Sequence, residues 1–204
     1  MINFNLQTIQ KIVDEVETIV IKDEYMLEER MLCDTLRPAH AVFYEMARKL
    51  RPQLMLATGD PDGMVGASFA SGCLDADSVY SEVVMFQTNA MPKPGWDTVS
   101  RLCEMYPNLT NATPEEFMWL PRVVRGIRMM GAPDLLYING SFHYPMALPE
   151  WYAYIELLAP VSLVLFDGMF PNTFQHRLEF LNLLGFKYDS AYSEKLHLGY
   201  LKRV

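Results

Sequence analysis

The sequence feature that most constrains the fold is a regular alternation of short apolar runs with helical segments, beginning at residue 53. The apolar runs cover residues 53–57, 83–87, 108–110, 135–138 and 162–166. Continuous apolar runs of this length are typical of parallel strands that are buried on both faces of a sheet. Helices are predicted between and after them, at residues 65–73, 96–106, 114–130, 147–158 and 173–184. Asn172 is expected to cap the last helix, and Gly185 to end it in a left-handed conformation.

The two ends of the chain follow other patterns. Residues 186–190 and 195–202 are predicted to be strands joined by a short loop, and such a close pair can only be antiparallel. Near the N-terminus an amphipathic helix is indicated by apolar residues at helical spacing, namely Leu6, Ile9, Val13, Val16 and Val20. A second helix is predicted over residues 38–50, with Pro38 in its first turn.

These elements together predict an α/β fold. We expect a Rossmann-like, doubly wound, mostly parallel seven-stranded sheet with a C-terminal antiparallel hairpin. Residues 1–204 are expected to form a single domain, with roughly the first 50 residues as a helical extension. Ligands of such sheets bind beyond the carboxyl ends of the strands, where the strand order reverses. The loops after residues 57, 87, 110, 138 and 166 should therefore face one crevice.

Composition narrows the class of partner and the compartment. Half of the residues are hydrophobic and the formal net charge is -8 without any cluster of Lys or Arg, so we expect no nucleic-acid partner. No apolar run approaches the roughly 20 residues of a membrane-spanning helix, and residues 1–10 lack a secretory pattern. The three cysteines, Cys33, Cys73 and Cys103, have no metal-like spacing and are odd in number. A cytoplasmic protein with no membrane association is expected, and homo-oligomerisation is left open.

One stretch of the chain carries a family resemblance. Residues 134–144 read DLLYINGSFHY, and a predicted helix leads from there to LLAPVSLVLFD at residues 157–167. This resembles class I S-adenosylmethionine-dependent methyltransferases, particularly the small-molecule O-methyltransferase and cephalosporin-hydroxylase-like branch. Members have a strand ending in Asp-Gly with a nearby His and Tyr, then a helix ending in Leu-Leu-Lys-Pro-Gly-Gly, then a strand ending in Asp. The resemblance covers the chain from about Thr35 to its end.

The resemblance also implies where the cofactor would bind. Residues 54–63, LMLATGDPDG, are similar to the family's nucleotide loop, whose glycines let the backbone approach the cofactor. Asp-Pro-Asp-Gly is also an ordinary turn sequence, so a bare turn is the alternative interpretation. The S-adenosylmethionine-binding residues implied by the resemblance are Thr58, Gly59, Asp60, Gly63, Gln87, Asn89, Asn111 and Asn139.

The chain departs from the family at the acidic positions. Ala57 stands where an acid usually precedes the first glycine, and amides stand near the ends of the next strands, at Gln87, Asn89, Asn111 and Asn139. An amide can still donate and accept hydrogen bonds, but it carries no charge. Asp167 is followed by Gly168 instead of a second carboxylate, so we predict no catalytic metal.

Few residues are obligatory for methyl transfer, which requires mainly alignment and a base. His143 is the candidate base, with a surface or structural role as the alternative. Asp167 is the second candidate catalytic residue; it could orient an acceptor or simply bind a loop amide. Phe142 and Trp151 are expected to line the crevice. Packing or surface roles are expected of the remaining histidines, His40, His176 and His197.

The leading functional hypothesis is an S-adenosylmethionine-dependent methyltransferase that acts on a small hydroxylated molecule. The alternative is a catalytically inactive methyltransferase-like binding or assembly module, which the replacement of acids by amides would favour. A nucleotide-binding domain for another adenosyl or sugar-nucleotide ligand is a third interpretation, because a fold alone does not determine function.

Overall fold

The computed structural model of the protein describes residues 6–22, 38–58, 63–78, 81–86, 93–112, 133–139, 163–167, 170–183, 185 and 187–203. The helices in these ranges are α1 (Leu6–Lys22), α2 (Pro38–Leu50), α3 (Met64–Asp75), α4 (Lys93–Met105) and α5 (Pro171–Leu183). The strands are β1 (Leu54–Thr58), β2 (Glu82–Phe86), β3 (Leu109–Ala112), β4 (Leu135–Asn139), β5 (Leu163–Asp167), β6 (Tyr188–Ser193) and β7 (Leu198–Arg203).

The seven strands form one sheet in the order β3-β2-β1-β4-β5-β7-β6. The first five strands are parallel, with β1 paired to both β2 and β4. Strand β7 pairs antiparallel with β5 on one side and with β6 on the other. This topology confirms the predicted fold class, including the antiparallel hairpin at the C-terminus.

Both faces of the central strands are buried, which explains why their sequences are continuous apolar runs instead of alternating ones. On β1, Met55 and Ala57 belong to a core cluster on one face, while Leu56 is fully buried on the other. Strand β5 repeats the pattern, with Leu165 in the same cluster and Phe166 buried on the opposite face.

Helices cover the two faces of the sheet. Helices α1 to α4 all contribute to the core cluster on the first face. Helix α5 covers the opposite face, where Phe174 packs edge-on against Phe166 with ring centroids 6.0 Å apart. A side chain in place of Gly199 on β7 would overlap the Phe174 ring, so α5 lies directly on the hairpin. Helices on both faces make this a doubly wound sheet, as expected from sequence.

Helix α3 packs unusually close to α2. A Cβ atom at Gly72 would overlap the carbonyl oxygen of Tyr44 and lie 2.9 Å from the Cβ atom of Ala47. Alongside, the Tyr44 hydroxyl donates a 2.6 Å hydrogen bond to Asp75 Oδ2, and this bond raises the pKa of the tyrosine. Glycine at position 72 is therefore required by the approach of two backbones and not by a turn.

The N-terminal helix α1 packs against α2 and the hairpin. Its residues Ile9, Ile12, Val13 and Val16 are almost completely buried, as their helical spacing predicts. At the far end of the helix, Glu17 accepts a 2.6 Å hydrogen bond from Ser193 Oγ and lies 3.0 Å from Lys195 Nζ. Apolar burial supplies most of the stabilisation, because exposed ion pairs contribute roughly 0–1 kcal/mol. None of the helices in the described ranges is long and apolar enough to cross a membrane.

The element bounds differ from the sequence predictions by up to about three residues, apart from α2, which runs over residues 38–50 as predicted. Gly185 has φ +84°, so the predicted left-handed end of the last helix is confirmed. The prediction that Asn172 caps this helix is wrong: the helix begins one residue earlier, at Pro171, because proline already has the backbone angle of a first helical residue. The helices predicted at 114–130 and 147–158 lie outside the described residues.

We expect Gly72→Ala to lower the free energy of unfolding by about 2 kcal/mol, because overpacking against a rigid backbone outweighs the gain in helix propensity. Urea unfolding measures the change. Gly66→Ala in the same helix is the comparison and should cost less, since the three atoms nearest to its Cβ would all belong to side chains, namely Met85 Sδ at 2.5 Å, Met85 Cγ at 2.7 Å and Leu109 Cδ1 at 3.1 Å, and none to a backbone. A Gly72→Ala protein as stable as the wild type would contradict the packing described for α2 and α3.

A second prediction concerns Tyr200, which is fully buried in β7 and hydrogen-bonds through its hydroxyl to Gln10 of α1. Burial, and secondarily the charges of Asp14 and Glu17, raise its pKa from 10.0 to about 12. Since the unfolded chain releases this proton first, the contribution to stability is complete below pH 10 and is lost as the pH rises towards 12. Urea unfolding at pH 8 and pH 11 should show a loss larger by about 1 kcal/mol in the wild type than in Tyr200→Phe. Equal losses in the two proteins would mean that Tyr200 titrates normally.

Candidate functional site

The strand order reverses between β1 and β4. Both strands are parallel neighbours, but the chain leaves β1 towards β2 and β3 on one side and reaches β5 from β4 on the other. Connections that depart in opposite directions leave a crevice beyond the carboxyl ends of the two central strands. This edge of the sheet is the candidate site.

The register of the strands brings several predicted residues to this edge. Thr58 ends β1 and is level with Phe86 of β2 and Ile138 of β4. Asn139 ends β4 and is level with Asp167, the last residue of β5. Asn111 is the next-to-last residue of β3. Residues that are distant in the chain thus meet at the edge where a ligand of this fold would bind.

Gly63 precedes the first turn of α3 and has φ +73°, in the left-handed region that favours glycine. The sequence prediction attributed this glycine to close approach by a cofactor. The structure adds a second reason, because a Cβ atom here would lie 3.0 Å from both Val99 and Leu102 of α4. No side chain caps α3 at this residue. The loop after β1 therefore ends in a glycine at the carboxyl edge of the sheet, where α3 begins.

Asn111 carries an unsatisfied acceptor. Its side-chain oxygen Oδ1 is buried and has no hydrogen-bond partner among the described residues. The backbone of Asn111 hydrogen-bonds to Cys103 of α4, whose thiol has a raised pKa because burial outweighs that bond. Cys103 is therefore a neutral packing residue, whereas the asparagine oxygen is available to a donor.

Ala57 occupies the place where an acid was expected. Its side chain is 1% exposed and lies in the core cluster, and its strand neighbours are Met85 and Tyr137. A carboxylate among these apolar side chains would require a partner, and the alanine needs none. The absence of an acid at this position thus matches the packing around it.

Other predicted site residues lie outside the described residues. These are Gly59, Asp60, Gln87, Asn89 and His143, together with Phe142 and Trp151. The backbone of Thr58, Asn139 and Asp167 is placed, but their side chains are not described. Their roles in cofactor binding or catalysis stay predictions.

The described histidines and acids form no metal centre. No group of three His, Cys, Asp or Glu residues with ligand geometry occurs in the described ranges. His40 is buried with its ring 6.3 Å from that of Phe43, in agreement with the packing role expected of it, and His176 is exposed on α5. The expected absence of a catalytic metal remains a prediction, because the side chain of Asp167 is not described.

The sequence analysis did not predict that the turn between β6 and β7 lies near the candidate site. Gly199 of β7 is level with Phe166 of β5 in antiparallel register, so the turn before β7 lies near the carboxyl end of β5. His197 of this turn contacts Phe170 with ring centroids 6.1 Å apart. The antiparallel direction of the hairpin was predictable, and it could have placed this turn at the candidate edge.

The fold of the chain is similar to that of S-adenosylmethionine-dependent O-methyltransferases. The sequence matches no protein-family model and no curated protein. Many solved structures match the fold. At the sequence identities below, the likeness establishes the fold alone.

Three of these structures illustrate the match. A Podospora anserina methyltransferase bound to S-adenosylhomocysteine is 11% identical, with TM-score 0.59 and coverage of 100% of this chain and 98% of that one. A TDP-rhamnose 3'-O-methyltransferase of calicheamicin biosynthesis is 14% identical, with TM-score 0.58 and coverages of 97% and 93%. An O-methyltransferase from Bacillus cereus in complex with S-adenosylhomocysteine is 11% identical, with TM-score 0.55 and coverages of 97% and 91%.

The packing around Gly63 gives a testable prediction. We expect Gly63→Ala to lower the free energy of unfolding by about 2 kcal/mol or more, combining left-handed strain with contact against α4. Gly185→Ala is the matched control, because Gly185 has φ +84° but no atom within 4 Å of the position that a Cβ atom would take, leaving the strain alone at about 1 kcal/mol. Thermal and urea unfolding of both variants measure the difference. Equal losses would show that the contacts with Val99 and Leu102 are unimportant.

Proposed function

We propose that the protein is an S-adenosylmethionine-dependent methyltransferase that acts on a small hydroxylated molecule. One observation carries the proposal: Asn111, near the carboxyl end of β3 and on the same edge of the sheet as the left-handed Gly63, has a buried side-chain oxygen without a partner among the described residues. Solved structures with the same fold include S-adenosylhomocysteine complexes, which supports the same class of cofactor here.

The described residues fit such a cofactor. The left-handed backbone at Gly63 would let the cofactor approach the start of α3 without meeting a side chain at this residue. The buried Asn111 Oδ1 would accept a hydrogen bond from an amino group of the adenosyl portion, and this bond would remove the penalty of an unsatisfied buried oxygen. When bound, S-adenosylmethionine supplies an activated methyl group.

The protein residues would supply alignment and a proton acceptor. Asp167 stands at the end of β5, one strand beyond Asn139 of β4, so an acceptor bound there would be held beside the crevice. His143 follows β4 in the chain and remains the proposed base, since a neutral imidazole can take the proton of an acceptor hydroxyl. Loss of the proton to His143 would make the acceptor oxygen a stronger nucleophile.

The remaining features of the proposal rest on sequence and composition. The chain is proposed to act in the cytoplasm on a small molecule, without a catalytic metal and without nucleic acid as partner. The burial of α1 against α2 and the hairpin supports a single domain, which stays a prediction.

Calorimetric titration with S-adenosylmethionine and S-adenosylhomocysteine, without added metal, tests the proposal. We expect binding with Kd on the order of 1–10 μM, and Asn111→Ser should weaken it about tenfold because a hydrogen bond in a buried site is lost. No binding of either compound at millimolar concentration would reject the methyltransferase and favour the inactive binding module.

Asn108→Ser is the matched control for this experiment. Asn108 immediately precedes β3, at the opposite end of the strand from the site, and its Oδ1 is likewise buried without a partner among the described residues. Its Nδ2 donates a 3.2 Å hydrogen bond to the carbonyl oxygen of Ala70, so its replacement should affect stability but not ligand affinity. Equal weakening by the two variants would mean that Asn111 acts only through the fold.

A further inference from the structure

Strand β6 lies at one edge of the sheet, and its outer side can pair with another strand. It pairs with β7 over all six of its residues, and no described strand lies on its other side. Alternate residues of β6 therefore direct their backbone N–H and C=O groups away from β7. The strand contains no proline, lysine or arginine, and its pairing has no bulge. Those are the usual features that prevent an edge strand from pairing with another chain.

The side chains of β6 alternate between the two faces of the sheet. Ala191 packs against the core cluster on the face that α1 covers. Tyr192 lies on the other face, where its ring is 5.6 Å from that of Phe174 of α5. Asp189 and Ser190, in the middle of the strand, lie on opposite faces and are both exposed. The centre of β6 is thus accessible from both faces.

Two copies of β6 can pair with each other only in certain registers. A two-fold axis makes the two copies antiparallel, and residues that face each other then direct their backbone groups in the same way. Along one strand this direction alternates from residue to residue. Each residue can therefore face only a residue that lies an even number of positions away in the sequence, and the axis passes between one residue and its own copy.

The charges at β6 favour the register in which Ser190 faces its own copy. An axis at Asp189 would place two carboxylates opposite each other, which destabilises a strand pair. An axis at Ala191 would place Asp189 opposite Ser193, whose hydroxyl binds the carboxylate of Glu17 at 2.6 Å. Both alternatives bring like charges together, and an axis nearer either end of the strand would pair fewer residues.

An axis at Ser190 gives compatible neighbours. The facing pairs are Lys187 with Ser193, Tyr188 with Tyr192, Asp189 with Ala191, and Ser190 with its own copy. The exposed ammonium group of Lys187 would approach Glu17 of the second copy, because that carboxylate is bonded to the facing serine. Two tyrosines that face each other form an aromatic cross-strand pair, which stabilises antiparallel strands. Symmetry repeats each of these contacts.

We propose that the chain forms a two-fold symmetric dimer in which the β6 strands of two copies pair antiparallel around Ser190. The partner at this edge is a second copy of the chain, and the two sheets become one continuous sheet. Strands β7, β5 and β4 separate β6 from β1, so the dimer leaves the candidate site open. The inference is independent of the proposed function.

Sedimentation velocity of the full chain over a range of concentrations tests the dimer. We expect the wild type to dimerise below about 100 μM. Ser190→Lys should raise the dissociation constant of the dimer about tenfold or more, because two ammonium groups would face each other at the axis. Lys187→Glu should raise it several-fold, and less at high salt. Ser100→Lys is the matched control, since Ser100 is exposed on α4, and it should leave the dissociation constant unchanged.

Disulfide cross-linking tests the register. Under mild oxidation Ser190→Cys should form a covalent dimer on a non-reducing gel, because the two introduced thiols would face each other across the axis. Asp189→Cys is the matched control: it introduces a thiol at the neighbouring exposed position, which faces Ala191 of the second copy. It should cross-link no more than the wild type, whose native thiols set the background.

Three results would overturn the inference. The first is a wild type that stays monomeric at about 100 μM. The second is a dimer that Ser190→Lys weakens no more than Ser100→Lys does, while far-UV circular dichroism shows both variants folded, since the dimer would then use another surface. The third is cross-linking of Asp189→Cys in preference to Ser190→Cys, which would place the axis elsewhere. None of these results bears on the binding of S-adenosylmethionine.

Discussion

The close packing of α3 against α2 and the sheet is the constraint on which the rest of the structure depends. At one end of α3, Gly72 lies against the backbone of Tyr44, where no side chain fits. Further along the same helix, Gly66 lies over Met85 of β2. These approaches fix both the height and the tilt of α3, and so they fix Gly63 and the first amides of the helix at the carboxyl edge of β1.

The other half of the molecule depends on how the hairpin is held. Strand β7 pairs with β5, and its buried Tyr200 faces the core cluster that α1 completes. The contacts of Glu17 with Ser193 and Lys195 connect α1 to the turn region of the same hairpin. The N-terminal helix thereby stabilises the part of the sheet that carries His197, although it is distant from the crevice in the chain.

The fold was largely predictable because strands that are buried on both faces of a sheet have continuous apolar sequences, which are easy to recognise. The runs around residues 54–58, 82–86 and 163–167 are apolar without alternation, and the glycine at 185 has the positive φ expected of it. The end of a helix is less certain from sequence, since Pro171 and Asn172 can each begin one, and the prediction for Asn172 failed.

The site was predictable in position and less so in detail. The predicted ends of the strands were enough to place Thr58, Asn111 and Asn139 at one edge of the sheet. The packing of Val99 and Leu102 against Gly63 was not predictable, because it depends on the orientation of α4, which no local pattern encodes. Likewise, Asn108 immediately precedes β3 and Asn111 lies near the other end of the strand, and only the direction of the strand shows which of the two is at the candidate edge. The contact of His197 with Phe170 joins residues from two different elements and has no signal in either segment.

The most direct test of the central claim, that the ligand crevice lies beyond the carboxyl ends of β1 and β4, is a titration of the isotopically labelled protein with S-adenosylhomocysteine followed by amide NMR. We predict chemical-shift changes concentrated at Gly63, Met64, Asn111 and Asn139, with little change at Asn108 and Asp134 near the opposite edge. Changes concentrated at that opposite edge, or none at a saturating concentration, would contradict the account.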